Sequence, residues 1–113
     1  MVEYAMTDIV MVYIPCKSIE QANSIGKHLL SKRLCACINV YPQMNSTYFW
    51  PPKSGSLESA DEAVLIAKTK KELLPKLEKE VYLVHSYKCP CIMAIPTEYI
   101  NKDYHDWLKG ELE

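Results

Sequence analysis

Glycine is scarce in this chain of 113 residues, which has only three, Gly26, Gly55 and Gly110. They are too far apart for the glycine-rich loops that cradle nucleotide phosphates. An excess of either charge is also absent, since 13 basic residues stand against 14 acidic ones. The net charge of -1 gives no electrostatic reason to expect nucleic acid as a partner. Nucleophile elbows, His-Glu-x-x-His motifs and paired catalytic carboxylates are missing too, so we do not expect an enzyme.

Long apolar runs are missing as well. The longest, Ile9 to Pro15, is far too short to span a bilayer, and the N-terminus MVEYAMTD lacks the basic and apolar parts of a secretory signal. We therefore expect a cytoplasmic protein with no membrane partner. Cysteine is present in an odd number, five, and cytosolic thiols are normally reduced, so we expect no disulfide framework. The length suits one domain, residues 1–113, with a core of its own.

Apolar periodicity predicts an α+β domain. DIVMVYIP is typical of a buried strand, and helical spacing predicts a helix from about residue 18 to 32, capped by Ser18. LCACINVY alternates, which puts Cys35 and Cys37 on the same face of a second strand; a break at Pro42 and Gln43 favours a bulge. Residues 51–62 are predicted to form an exposed, mobile loop, which a strand at AVLIAKT follows. The remaining elements are a helix from about 72 to 84 with Pro75 in its first turn, a strand at CIMAIP and a last helix capped by Asn101.

This order of elements, β-α-β-β-α-β plus a C-terminal helix, is the split βαβ arrangement. Two right-handed crossovers place both main helices on one face of an antiparallel sheet. The other face carries the cysteines of the second strand and the aromatic residues of TYFW, which are too apolar for water. We therefore expect a partner subunit to cover that face.

Four segments, RLCACINVYPQMNSTYFW, VLIAKT, HSYKCPCIMAIP and DYHDWL, resemble the CutA family of divalent-cation tolerance proteins in order and spacing. The resemblance extends from about Ile9 to Leu108. It implies a ferredoxin-like subunit in a tight homotrimer, similar overall to the PII signalling proteins. It also implies a cytoplasmic protein linked to copper or another divalent metal ion, with no established reaction and no organic cofactor.

Several residues match the family's motifs one by one. These are Cys37, Ser46, Tyr48, Trp50, Lys68, His85, Tyr87, Pro90, Tyr104, Trp107 and Leu108. In the His-Pro-Tyr-x-x-Pro-Glu segment, Ser86 replaces a proline and Cys91 replaces the glutamate, and the loop after Trp50 is longer by a few residues. A carboxylate of the family's pocket between subunits has thus become a thiol.

Cysteine pairs one residue apart, Cys35 with Cys37 and Cys89 with Cys91, are the candidates for metal chemistry. Two such thiolates can bind Cu(I) linearly or share Zn(II) with other ligands. We predict metal ligands among Cys35, Cys37, His85 and Cys91. The alternatives are packing in the core for the thiols and a role at the end of the second helix for the imidazole.

A lysine and several aromatic residues are the candidates for a ligand cleft. Lys68, Tyr87, Tyr104 and Trp107 could bind a small anion or a planar ligand, with Lys68 beside His85 and Tyr87. We assign Tyr48 and Trp50 to the trimer interface, although they could also belong to a stacking pocket. Both His28 and His105 are predicted to be solvated. The leading hypothesis is a metal-binding trimer; a PII-like sensor, a thiol oxidoreductase and a scaffold without ligand remain open.

Overall fold

The computed structural model of the protein describes residues 7–112. Its elements are β1 (Ile9–Cys16), α1 (Ile19–Ser31), β2 (Cys37–Phe49), β3 (Leu57–Lys70), a 3-10 turn (Lys71–Leu73), α2 (Leu74–Val84), β4 (Met93–Pro96) and α3 (Lys102–Glu111). The four strands form one antiparallel sheet in the order β2-β3-β1-β4. The predicted ferredoxin-like split βαβ fold is therefore confirmed. Within residues 7–112, none of the helices has the length and apolar character that crossing a membrane requires.

Both main helices begin where the sequence indicates. Ser18 caps α1, and its hydroxyl accepts a hydrogen bond from the Gln21 amide. Pro75 lies in the first turn of α2, where a missing N–H costs no helical hydrogen bond. Asn101 is also the residue before α3, but its side chain makes no capping hydrogen bond, so that part of the prediction is wrong.

The core lies between the sheet and helices α1 and α2. Alternate residues of the central strands point into it, including Val12 and Ile14 of β1 and Leu65 of β3, all fully buried. Each aliphatic side chain buried here contributes about 1.5–3 kcal/mol. Gly26 lets α1 approach β2, because a Cβ there would overlap the Ile38 side chain.

The opposite side of the sheet, called the open face below, has no such cover. Its residues are Met11, Tyr13 and Pro15 of β1, Cys37, Asn39 and Tyr41 of β2, Val64, Ile66 and Lys68 of β3, and Met93 and Ile95 of β4. Of the elements within residues 7–112, only α3 packs on it, at the end around Ile9, which is buried with Leu108 and Leu112. Tyr41, Met93 and Ile95 remain 61%, 54% and 41% exposed. The face left uncovered is thus the one that the sequence pattern predicts.

The second strand begins later than predicted. The chain turns after α1 through Arg33, which has a φ of 56°. Leu34 and Cys35 then both enter the core, whereas regular pairing with β3 starts at Cys37. The prediction that Cys35 and Cys37 share a strand face is therefore wrong, because alternation of side chains applies only within a strand.

A long two-stranded ribbon, formed by β2 and β3, replaces most of the predicted loop over 51–62. Leu57 to Glu62 pair with β2, so only residues 50–56 connect the strands. The predicted bulge is confirmed, since the register shifts between Tyr41 and Met44. With one extra residue in β2 at this point, Ser46 and Tyr48 lie on the same side of the ribbon as Glu62.

Candidate functional site

A groove on the open face lies beneath the ribbon and has a volume of about 780 Å³. Its lining combines the end of β1, one side of the ribbon and the segment between α2 and β4: Pro15, Tyr48, Trp50, Ala60, Glu62, Tyr87, Lys88, Cys89 and Cys91. This site is called the ribbon groove. Aromatic rings, thiols, one amine and one carboxylate meet there, which is the mixture expected of a binding site.

Glu62 is the polar centre of the ribbon groove. One carboxylate oxygen accepts a hydrogen bond from the Ser46 hydroxyl at 2.5 Å, and the other accepts one from the Tyr87 hydroxyl at 2.8 Å. Burial raises the pKa of Tyr87, and the adjacent Glu62 carboxylate raises it further. The phenol therefore stays protonated and holds Glu62 in place.

His85 is the residue after α2, and its ring is buried. Its Nδ1 accepts a hydrogen bond from the Tyr87 amide at 3.1 Å, so its Nε2 carries the proton and donates to the Pro15 carbonyl at 2.9 Å. The two rings lie 4.6 Å apart between centroids. Because both nitrogens are engaged, His85 positions Tyr87 in this conformation and offers no free lone pair to a metal.

The two cysteines of the groove differ in exposure, with Cys89 exposed and Cys91 half-buried. Burial, followed by the charges of Glu62 and Cys89, raises the pKa of Cys91. Burial likewise raises the pKa of Cys16 to about 11. An activated redox thiol needs a lowered pKa, so Cys16 and Cys91 give no support to a thiol oxidoreductase.

The other cysteine pair is divided between two environments. Cys35 lies in the core, where burial and then Cys37 raise its pKa to about 12. Cys37 lies on the open face, is half-buried, and donates a long S–H contact to the Ile38 carbonyl at 3.7 Å. Only Cys37 of this pair is open to a ligand.

A second cluster lies at the far end of the open face, under α3. The Lys68 amine donates to the Tyr104 hydroxyl at 3.3 Å and lies 5.2 Å from the centre of that ring. Trp107 stacks on Tyr104 with 5.5 Å between ring centroids, and Cys37 is the strand partner of Lys68. These four residues are called the α3 cluster. An amine held against aromatic rings can bind a small anion or a planar ligand.

The predicted ligand cleft is thus divided between two places in one chain. Tyr87 belongs to the ribbon groove, whereas Lys68, Tyr104 and Trp107 belong to the α3 cluster. Since Glu62 and Lys68 are six residues apart in β3, the two places are separated by about 20 Å along the strand. The prediction that Lys68 lies beside His85 and Tyr87 is therefore wrong for the single chain.

The four predicted metal ligands are not gathered either. Cys35 and Cys37 lie near the start of β2, while Cys91 lines the ribbon groove and His85 is buried beside Tyr87. Among residues 7–112, no group of three or more His, Cys, Asp or Glu side chains is placed to hold a metal ion. A structural zinc site with four ligands, as in zinc fingers, is therefore not formed by the described part of one chain.

Sequence reasoning missed Glu62 because it placed that residue in a loop. The sequence does contain a signal for it. Val64, Ile66 and Lys68 are alternate residues of one strand and share a face, and continuing this alternation towards the N-terminus places Glu62 on the same face. Two histidines also differ from expectation. His28 Nε2 lies 2.7 Å from Glu80, and His105 Nε2 lies 3.2 Å from Asp8, so both pair with carboxylates and neither is simply solvated.

The fold and the site together define a small ferredoxin-like domain with an extended ribbon and a groove beneath it. The sequence profile of the family described as CutA1 divalent ion tolerance protein matches residues 10–111. This chain therefore belongs to the CutA1 divalent ion tolerance family. The resemblance stated above from the sequence motifs is confirmed.

Individual relatives agree with this assignment over most of their length. A divalent-cation tolerance protein CutA from Archaeoglobus fulgidus is 40% identical over 102 residues, which cover 90% of this chain and 96% of that protein. A protein of the same description from Thermus thermophilus is 36% identical, with coverages of 92% and 96%. Among solved structures, a periplasmic divalent cation tolerance protein CutA from Archaeoglobus fulgidus superimposes with a TM-score of 0.87 at 38% identity, covering 93% of this chain and 99% of that one.

Proposed function

We propose that this protein is a cytoplasmic homotrimer that binds divalent or soft metal ions, with copper as the favoured ion, and contributes to metal tolerance. The observation that carries the proposal is the open face, which holds both candidate clusters and exposes too much apolar surface for water. Family membership supports the tolerance role. The cytoplasmic assignment is supported by five free cysteines, which suit a reducing compartment.

A second copy of the chain is the natural cover for the open face. Tyr41, Met93 and Ile95 are exposed there, and α3 covers only one end of the face. Contiguous apolar patches of this kind mark interfaces. The number of copies, three, rests on the family resemblance.

The ribbon supports assembly by its length. Leu57 to Glu62 of β3 lie beyond the last partner in β1 and extend about 20 Å further along β2. Tyr48, Phe49 and Trp50 are exposed on this extension. A projecting ribbon with aromatic residues can pack along a neighbouring subunit, and we assign Tyr48 and Trp50 to that interface.

Assembly would also unite the two clusters. A cyclic trimer forms head-to-tail contacts between different surfaces of adjacent copies, so the ribbon groove of one copy can face the α3 cluster of the next. We propose that metal ligands come from this seam, with the half-exposed thiols Cys37 and Cys91 as the candidates. Cys35 and His85 would first have to leave their buried positions.

A second candidate function is a PII-like sensor of a small metabolite. The observation that favours it is the α3 cluster, where the Lys68 amine meets the Tyr104 ring and Trp107 extends the aromatic surface. That arrangement suits an anionic or planar ligand better than a cation. The two functions make opposite predictions for thermal stabilisation by metal ions and by small organic anions.

The proposal is tested by sedimentation and by metal analysis of the same preparation, purified without chelator or affinity metal. We expect a trimer at micromolar concentration and copper or another divalent ion bound to it. Cys37→Ser should weaken soft-metal binding more than Cys16→Ser, since Cys16 is fully buried. A folded monomer at that concentration, or stabilisation by anions alone, would refute the proposed function.

A further inference from the structure

The thiols of Cys89 and Cys91 line the same ribbon groove. Between them Pro90 is buried, and Ile92 packs against the main core, so alternate residues of this short segment point inward. The cysteines are left on the outward side with the groove in front of them. The residue before a proline is restricted to extended backbone, which keeps this arrangement in place. The pair is therefore preorganised by the chain itself.

The spacing suits two sulfurs and one ion. Cys89 lies at a bend of the chain, and its Cα atom is at most about 6.5–7 Å from that of Cys91, the value for fully extended backbone. Each cysteine side chain can turn towards the other, which brings the two sulfur atoms closer together. Two thiolates held this way match the linear, two-coordinate geometry that Cu(I) adopts with soft ligands.

Other donors in the groove and beside it are already engaged. Both carboxylate oxygens of Glu62 accept hydrogen bonds, and both ring nitrogens of His85 are used. By contrast, the described contacts include hydrogen bonds for the sulfurs of Cys16 and Cys37 but none for those of Cys89 and Cys91. The open donors of the ribbon groove are thus soft sulfur atoms, and its only carboxylate, the hard donor, is occupied.

From these contacts we propose that Cys89 and Cys91 of a single chain bind one soft monovalent cation, Cu(I) or its analogue Ag(I), as a two-coordinate bis-thiolate. This inference rests on the proposed metal-binding function, but it pairs Cys91 with Cys89 of the same chain in place of Cys37 across the seam. Each thiol loses its proton to solvent and forms one sulfur–metal bond, so two protons are released per ion and the complex carries one negative charge. Lys88, which lines the groove, partly balances that charge.

The site is distinct from a divalent one. Zn(II) in proteins takes four ligands, and residues 7–112 of one chain offer no group of three. The ribbon groove is therefore selective for a cation that needs only two sulfur ligands. The replacement of the family's glutamate by Cys91 is what makes this possible, because Cys89 alone could supply only one thiolate.

The test is an anaerobic titration of the full-length protein with Cu(I), in competition with a chromophoric Cu(I) chelator, and in parallel with Ag(I). The variants are Cys89→Ser and Cys91→Ser, and Cys16→Ser is the control with a buried thiol. We expect one ion per chain in the wild type and a loss of affinity of at least about 100-fold in each of the two variants, since even outer-shell changes cost metal sites roughly 10- to 100-fold. Because Cys89 is exposed, its serine variant should fold normally. X-ray absorption should show two sulfur neighbours.

Unchanged Cu(I) affinity in Cys89→Ser would overturn the inference, and so would three sulfur neighbours in the absorption spectrum. If Cys37→Ser alone abolished binding, the thiol pair would be excluded while the proposed metal function stood. If the wild-type trimer bound neither Cu(I) nor any divalent ion, the inference and the proposed function would both fail.

Discussion

Replacing Glu62 by glutamine removes the charge at the centre of the ribbon groove while keeping the shape of the side chain. Two hydroxyls donate to the carboxylate, from Ser46 and from Tyr87. A hydrogen bond to a charged group contributes about 1.5–3 kcal/mol, whereas a neutral one contributes about 0.5–1.5 kcal/mol. Because the groove is open to solvent, we expect Glu62→Gln to lower the free energy of unfolding by about 1.5–2 kcal/mol.

The neighbouring Asp61→Asn variant is the matched control for this loss. It removes the same charge one position earlier in β3, where the exposed carboxylate contacts only Asn45 among the described residues. We expect its effect to stay within about 0.5 kcal/mol, as for surface substitutions. Urea unfolding at one fixed protein concentration measures both, since the stability of an oligomer depends on concentration.

A double-mutant cycle with Tyr87→Phe separates the hydrogen bond from general effects of charge. We expect a coupling energy between Glu62 and Tyr87 of at least about 0.5 kcal/mol, as for residues in direct contact. Equal losses in Glu62→Gln and Asp61→Asn, or strictly additive effects in the cycle, would refute the assignment of Glu62 as the centre of this network.

Three further predictions concern assembly, packing and acidity. Trp50→Ala should weaken the trimer by about 2–4 kcal/mol, as buried aromatic anchors do; sedimentation at high dilution measures this, and an unchanged trimer would contradict it. Gly26→Ala should destabilise the fold by about 1–3 kcal/mol, because the added Cβ would overlap the Ile38 Cδ1 atom. Ile38→Val deletes that atom and should reverse part of the loss, as measured by urea unfolding. Additive effects of the two substitutions would count against the contact. The Lys109 ammonium lowers the pKa of Asp8. This pair therefore contributes stability above the unfolded carboxyl pKa of about 3.9 and loses it as the pH falls through the lowered value. Thermal melts should show Asp8→Asn less stable than wild type at pH 7, with a difference that shrinks as the pH falls below about 3.9; a constant difference would be inconsistent with this pair.

The fold could be read from the sequence because its signals are local. Apolar spacing identified both main helices, and Ser18 and Pro75 marked their first turns. The β-bulge followed from Pro42 and Gln43, which interrupt an otherwise alternating strand. Such features depend only on residues that are close together in the chain, so a single sequence is enough to predict them.

The candidate site was harder to predict because it depends on distances across the sheet. The residues assigned to one cleft lie in two places, because Tyr87 contacts Glu62 whereas Lys68, six positions further along β3, contacts Tyr104. Spacing along the chain does not reveal which end of a strand a distant segment reaches. Cys35 was misplaced for a related reason, since two consecutive buried residues after a helix look like the first residues of a strand.

The bulge between Tyr41 and Met44 has a consequence for how this protein can change in length. Because Tyr41 pairs with Val64 and Met44 with Glu62, the extra residue keeps Ser46 and Tyr48 in the row that meets Glu62. Deletion of Pro42 or Gln43 would close the bulge and leave that row in place, whereas a one-residue slip of β2 would turn Thr47 and Phe49 towards the groove. At residues 50–56, by contrast, the chain only joins the ends of two strands whose pairing is already fixed. A change of length at the tip therefore leaves both strands paired as they are, and the additional residues after Trp50 lie there.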